Sequence, residues 1–431
     1  MTHRRSVAAA SAIAIAVLAC STSALAQTVS QPTYTLIESG KKVYGRASQD
    51  FRNIGLIDYW WVGHDNAEGP FKALRGVSGR YSAVQAFSLP NRAVDGTNMD
   101  RHECGFLHLN GDAKVDMVCT VGADRGAGEG PNEVYRNDST EQAVRMTRIE
   151  GALLPTGIED PSGRHRALEP FRFADGSQGL WSVVVGIPRD DGQPNVNRLY
   201  RYNGSGTFKF TEVTSPAINI TTLYTCSRAG DLNADGLDDL LLCRTAVETS
   251  EPADSILYLQ QPDGSFSQAE LPMAGKRFRT AEIVDMNGDG RNDLLVSVND
   301  GVEARIEIYL QDARKQLQRE PALRMVVNGV ANSFAVGDLD GDGKPDIYAA
   351  ISFVNACKAE YERTGTFNDT WKDLVISTAG APPRGYVVTT MENEPVANGC
   401  SWLASWGGPG IVHLGRGLEG APGDSYSLKF E

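Results

Sequence analysis

Three segments of the chain concentrate carboxylates at a spacing that suits a hard cation. They read Asp231-Leu-Asn-Ala-Asp-Gly-Leu-Asp-Asp239, Asp285-Met-Asn-Gly-Asp-Gly-Arg-Asn-Asp293 and Asp338-Leu-Asp-Gly-Asp-Gly-Lys-Pro-Asp346. Side-chain oxygens stand at positions 1, 3 and 5, namely Asp231, Asn233 and Asp235, Asp285, Asn287 and Asp289, and Asp338, Asp340 and Asp342. Position 7 (Leu237, Arg291, Lys344) offers a backbone carbonyl, and position 9 (Asp239, Asp293, Asp346) a further carboxylate. An all-oxygen donor set in a flexible loop favours calcium over magnesium, and the glycine at position 6 permits the sharp bend. A helical calcium hand needs a glutamate at position 12 and flanking helices. Here apolar strand-like runs follow instead, Leu240-Leu241-Leu242, Leu294-Leu295-Val296 and Ile347-Tyr348-Ala349. The Asp clusters are therefore expected to hold about three calcium ions and not to serve as catalytic acid pairs.

The elements that position these loops must repeat with them. The loops begin at residues 231, 285 and 338, so they recur every 54 and 53 residues. That period suits one four-stranded blade of a β-propeller. Weaker copies extend the array. His108-Leu-Asn110-Gly-Asp112-Ala-Lys-Val-Asp116 keeps three ligand positions but has His at position 1 and Ala at position 6, which leaves its metal binding open. Phe173 to Trp181 sits at the blade spacing without the ligands, and Phe51 to Val62 and Cys400 to Trp406 extend the count to the ends. Starts near 51, 108, 174, 231, 285, 338 and 402 predict an all-β propeller of seven four-stranded blades, with six or eight as alternatives. The terminal strands are expected to share a sheet and close the ring.

These segments resemble the FG-GAP/VCBS repeats of integrin α-chain propellers and of many bacterial secreted proteins. Asn197 to Thr214, with Leu199-Tyr-Arg-Tyr-Asn-Gly-Ser-Gly-Thr-Phe208 at its centre, is similar to the blade endings of VCBS proteins related to the ASPIC/UnbV group. The resemblance covers residues 104 to about 350. It implies a calcium-loaded propeller used for binding or adhesion.

Composition bounds the rest. The formal net charge of −13 argues against nucleic acid and anionic membrane as partners. The first 26 residues read as a signal peptide. Arg4 and Arg5 form a basic start, Val7 to Ala19 an apolar run, and Ala24-Leu25-Ala26 a small-x-small cleavage site, leaving a propeller domain over 27–431. A rival reading lipidates Cys20. No later stretch reaches membrane-spanning length, so the chain is expected to be exported to the periplasm or the extracellular space.

Cleavage leaves six cysteines. Cys104 lies five residues before Leu109 and Cys226 six before the matching Leu232, while Cys119 lies three after Asp116 and Cys243 four after Asp239. Both partners shift outward together, which keeps them opposite each other in an antiparallel hairpin. Disulfides 104–119 and 226–243 are predicted, leaving Cys357 with Cys400.

If each acidic loop joins the first two strands of a blade, the strand 2–3 connections lie on the opposite face. Those connections are long and polar, over 122–131, 186–197, 244–255 and 352–370. Rigidly supported loops are where ligands usually bind. Tyr59-Trp60-Trp61, Trp402 and Trp406 suit either sugar stacking or packing between blades. His64, His102, His165 and His413 are scattered, and no nucleophile elbow, phosphate loop or zinc-protease motif occurs. The leading expectation is a binding or adhesion module for a glycan or protein. The alternatives are a lyase or hydrolase acting on extracellular polysaccharide, or a scaffold of an envelope complex.

Overall fold

The computed structural model describes residues 33–36, 43–49, 51–54, 58–63, 72–77, 80–88, 101–121, 131–149, 156–160, 163, 165–184, 192–204, 206–221, 226–244, 254–273, 276–299, 303–327, 330–337, 344–352, 374–378, 386–390 and 412–415. Its regular elements are all strands. They form six four-stranded antiparallel sheets in strict sequence order, the blades of a β-propeller. Blade 1 comprises Val43–Gln49, Asp58–Gly63, Lys72–Val77 and Arg80–Ser88. Blade 2 comprises Arg101–Leu107, Asp116–Val121, Glu133–Asn137 and Met146–Arg148. Blade 3 has His165–Arg172, Gln178–Val184, Arg198–Tyr202 and Phe210–Val213. Blade 4 has Cys226–Gly230, Asp239–Cys243, Ile256–Gln260 and Phe266–Ala269. Blade 5 has Phe278–Val284, Asp293–Asn299, Ala304–Tyr309 and Leu323–Val326. Blade 6 has Val330–Gly337, Asp346–Ser352, Leu374–Thr378 and Tyr386–Thr390.

The seventh sheet has two strands among the described residues. Thr33–Leu36 pairs antiparallel with Val412–Gly415, so the two ends of the chain share a sheet, as expected. The blade start expected near 402 lies outside the described residues. The start expected near 51 is the turn between the first two strands of blade 1, and Tyr59-Trp60-Trp61 falls in its second strand.

The second strand of each inner blade explains the leucine runs. Asp239–Cys243 is buried at every residue, because a neighbouring blade covers each face of the strand. Such a strand needs apolar side chains on both faces and loses the usual alternation. The period of two then sorts the run between two cores. Leu240 and Leu242 pack with Trp181, Phe171 and Phe173 of blade 3, while Leu241 packs with Leu294 and Val296 of blade 5. One blade on, Leu294 and Val296 face blade 4, and Leu295 faces Ile347 and Ala349 of blade 6. Full burial of one leucine contributes about 1.5–3 kcal/mol. The outer strands are more open, as in Phe266–Ala269, where only Phe266 is buried.

First strands of successive blades lie side by side from blade 1 to blade 6. Glycine allows close approach there. A side chain on Gly230 would meet the Ile283 side chain at 2.6 Å, and one on Gly105 would meet Pro170 at 2.9 Å.

Both testable disulfide expectations hold. Cys104 is opposite Cys119 in blade 2, Cys226 is opposite Cys243 in blade 4, and both pairs are bonded. They staple the first two strands of their blades, Cys226–Cys243 at the end away from the acidic loop and Cys104–Cys119 midway along the pair. Cys357 and Cys400 lie outside the described residues, as do the signal segment and most of the long connections.

Candidate metal loops

The acidic loops join strands 1 and 2, as the strand-parity argument requires. Antiparallel order puts the strand 3–4 turns on the same face. Lys315, in such a turn of blade 5, reaches back to the Ala234 carbonyl of blade 4 at 2.6 Å.

In loop 231–239 the position-1 carboxylate organises the turn. Asp231 Oδ1 accepts the amides of Asn233 and Asp235 at 3.2 and 3.1 Å, and Oδ2 accepts that of Gly236 at 2.8 Å. Asn233 Oδ1 takes the Asp235 amide at 2.9 Å, and Asn233 Nδ2 lies 3.0 Å from Asp235 Oδ2. Loop 285–293 repeats the pattern, with Asp285 accepting from Asn287, Gly288, Asp289 and Gly290. Here Arg291 also donates to Asp289 through its guanidinium. Two residues per loop take the left-handed conformation, at positions 4 and 6. They are Ala234 and Gly236 in the first loop (φ 53° and 89°), and Gly288 and Gly290 in the second (75° and 81°). The sequence pattern marked position 6 alone. Position 4 strains Ala234, since left-handed backbone costs a residue with a Cβ about 1–2 kcal/mol.

Position 9 has a role that ligand spacing does not reveal. Asp239 is fully buried, and its oxygens accept two backbone amides, Leu232 within the loop at 3.0 Å and Gln260 at the end of strand 3 at 3.0 Å. Asp293 does the same with Met286 at 2.9 Å and Gln311 at 2.8 Å. Asp116 does it in the incomplete repeat, with Leu109 at 2.9 Å and Asn137 at 2.8 Å. This carboxylate therefore anchors the loop to the sheet with or without a full ligand set. Burial raises all three carboxyls despite their amide bonds, Asp239 to about 7 and Asp293 to about 6.

The strand-3 terminus also ties adjacent blades. Gln260 Nε2 donates to the Arg172 and Asp238 carbonyls at 2.9 and 2.8 Å, and its Oε1 accepts the Ala174 amide at 2.6 Å. Asn137 bonds the Phe51 and Val115 carbonyls, both at 2.9 Å. Amide residues at 137, 260 and 311 were the available signal. Gln311 keeps the backbone bond, while its buried side-chain atoms make no hydrogen bond among the described residues.

The donors fit a hard divalent cation. Loops 231–239 and 285–293 place side-chain oxygens at positions 1, 3 and 5 on a bend closed by two left-handed residues, and Asp231 Oδ2 and Asp285 Oδ2 each accept a single amide and keep a second lone pair. No group of three or more His, Cys, Asp or Glu side chains stands in metal-holding geometry among the described residues. The proposed donor set instead relies on Asn233, Asn287 and the position-7 carbonyls. In the third loop, Asp338, Asp340 and Asp342 lie outside the described residues. Lys344 and the fully buried Asp346 lie within them.

His165 is a satisfied core histidine. Its Nε2 lies 3.0 Å from Asp160 Oδ2, and its Nδ1 lies 2.6 Å from Ser182 Oγ. The residue types are those of an acyl-transfer triad, but His165 and Ser182 have no exposed surface. Arg198 flanks the same Asp160 oxygen at 2.9 Å. Trp402 and Trp406 lie outside the described residues.

A family model described as FG-GAP-like repeat matches residues 172–242 and 285–349. The chain carries FG-GAP-like repeats. Each matched stretch contains acidic loops and ends in the second strand of a blade. No curated protein matches the chain. Among solved structures, the Dos1 propeller is similar at 10% identity, over 74% of this chain and 68% of that one, with a TM-score of 0.41. No helix among the described residues is long and apolar enough to cross a membrane.

Proposed function

We propose that this FG-GAP-repeat propeller is an exported calcium-binding module that holds a glycan or protein ligand on the face opposite its acidic loops. The observation that carries the calcium reading is the pair of loops at 231–239 and 285–293. In each, acidic and amide oxygens at positions 1, 3 and 5 are gathered on a bend held by left-handed residues at positions 4 and 6. Loop 338–346 is the third site of the set. Two disulfides support export, since such bonds persist in oxidising compartments. The signal segment 1–26 with cleavage after Ala26 gives the route. The long strand 2–3 connections supply the ligand face, held on a rigid scaffold.

Elemental analysis and thermal melting test the calcium reading. The dialysed protein should retain about three calcium ions per chain. A chelator should lower the melting temperature, and added calcium should restore it. A ligand of the folded state alone stabilises by about 2.7 kcal/mol per site at a hundredfold excess over Kd. Asp289→Ala should lose part of this response, whereas Asp175→Ala should keep it all. A protein without calcium, indifferent to chelator, would overturn the reading. A glycan array and a pull-down from envelope extract, repeated after deletion within 352–370, test the ligand face.

A further inference from the structure

Blade 4 departs from its neighbours at one place on the face opposite the acidic loops. Where the second strand ends, its last amide is received by the side chain of the residue that leads into strand 3. Val121 N donates to Asn132 Oδ1 at 3.0 Å in blade 2, Val184 N to Asn197 Oδ1 at 3.1 Å in blade 3, and Arg244 N to Ser255 Oγ at 3.0 Å in blade 4. These bonds make the three residues equivalent. In blade 5 the place belongs to Val298, five residues past Asp293 as Arg244 is five past Asp239. Val121, Val184 and Val298 have no exposed surface, so this place in a blade suits a buried valine. Blade 4 alone of the four puts an arginine there.

The alternation of the strand turns Arg244 toward blade 3, the side on which Leu240 and Leu242 pack with Val183, Leu199 and Ile218. Arg244 is partly buried, and its Nε is enclosed without a hydrogen-bond partner. Its guanidinium forms no ion pair among the described residues. Burial holds it below its ordinary value, although Tyr258 and Asp254 pull the other way. Neither neutralises it. Burial pushes the Tyr258 phenol up to about 12, so it stays neutral, and Asp254 is exposed and lies 3.7 Å from Arg277.

Trp181 Nε1 and Ser227 Oγ are buried in the same interface, also without partners. The indole N–H can only donate, so acceptors are what this interface lacks. A partly buried cation without a counter-charge is costly until a ligand supplies the anion. The planar guanidinium matches a carboxylate with two parallel hydrogen bonds. The net charge of −13 repels extended polyanions, which leaves a single carboxylate as the fit.

We propose that Arg244 is an anion-binding residue that takes one carboxylate group of the ligand where blades 3 and 4 meet, on the face of the strand 2–3 connections. This rests on the reading of that face as the ligand face and adds the chemical class of the ligand. The carboxylate belongs to an acidic sugar or to a free organic anion.

Ligand-observed NMR titration of the full oxidised chain in calcium tests it, with D-glucuronate, acetate and D-glucose as probes. Glucuronate should bind and glucose should not. Arg244→Val should weaken glucuronate binding at least about tenfold, the loss of one charge-assisted pair. The same variant should melt no lower than wild type, because three other blades carry valine at this place. Equal affinity for acetate and glucuronate keeps the carboxylate site and assigns it a free anion. Wild type that binds no carboxylate, or binds glucose as well as glucuronate, overturns the inference. So does an Arg244→Val protein that binds as wild type does, or one that melts lower, since the guanidinium then has a partner within the protein. The ligand-face reading survives each of these results if deletion within 352–370 still abolishes binding on the glycan array or in the pull-down.

Discussion

Asp116→Ala is the cleanest probe of the position-9 anchor, because its loop lacks the full cation ligand set. The substitution leaves two backbone amides, Leu109 and Asn137, without the carboxylate oxygens that now receive them at 2.9 and 2.8 Å. The carboxylate is fully buried. Each orphaned buried donor costs about 1–3 kcal/mol, so the pair sets a loss of about 2–6 kcal/mol. Relief of the buried charge offsets part of this, since burial already raises the Asp116 carboxyl. Asp116→Asn retains one acceptor but turns an NH2 group toward the second amide, so about half the loss remains. Asp112 sits in the same loop and is exposed, so Asp112→Ala should stay within about 0.5 kcal/mol. Urea unfolding of the oxidised protein in chelator, followed by tryptophan fluorescence, measures all three. Trp181 in blade 3 has no exposed surface and reports on loss of the core. If Asp116→Ala costs no more than Asp112→Ala, the anchor is not what holds the turn. Asp239→Ala should show the same loss in chelator and a further loss of calcium response.

Non-reducing peptide mapping should find 104–119 and 226–243, with 357–400 as the third bond and Gln27 as the mature N-terminus. A 119–226 link would break the register, and an acylated Cys20 would replace the cleavage site. His165→Ala strips Asp160 and Ser182 of a buried partner and should cost about 2–4 kcal/mol by urea unfolding, whereas a loss near zero would remove the network from the core. The raised carboxyls set a pH signature in chelator. The folded protein holds protons on Asp239 up to about 7 and on Asp293 up to about 6, while the unfolded chain releases them near the ordinary 3.8. Their contribution is therefore full below about pH 4 and lost as the pH rises through 6 to 7. Asp239→Asn should flatten that fall in a melting series from pH 5 to 8, and an unchanged slope would contradict the assignment.

The sequence by itself determined what is local and periodic. The recurrence of Asp231, Asp285 and Asp338 set the blade length, and the aspartates marked the turn between the first two strands. The outward shift of Cys104 with Cys119, and of Cys226 with Cys243, set the hairpin register, because partners across one short turn are fixed by counting residues. The leucine run after Asp239 marked the strand that follows the loop, and the structure showed it buried on both faces. Tertiary structure decided which neighbour each leucine meets, since the two faces of one strand belong to cores shared with different blades. It decided that Asp239 is an anchor as well as a candidate ligand, because one of its two amide partners, Gln260, lies on another strand. It joined Gln260 to Arg172 and Tyr202 to Leu109, pairs 88 and 93 residues apart, and gathered Asp160, His165 and Ser182 into one buried network. It also supplied Arg201 to Asp175, 26 residues away on the third strand. Such contacts arise from the stacking of one blade on the next and the folding of strand on strand, which residue spacing within a single loop does not encode.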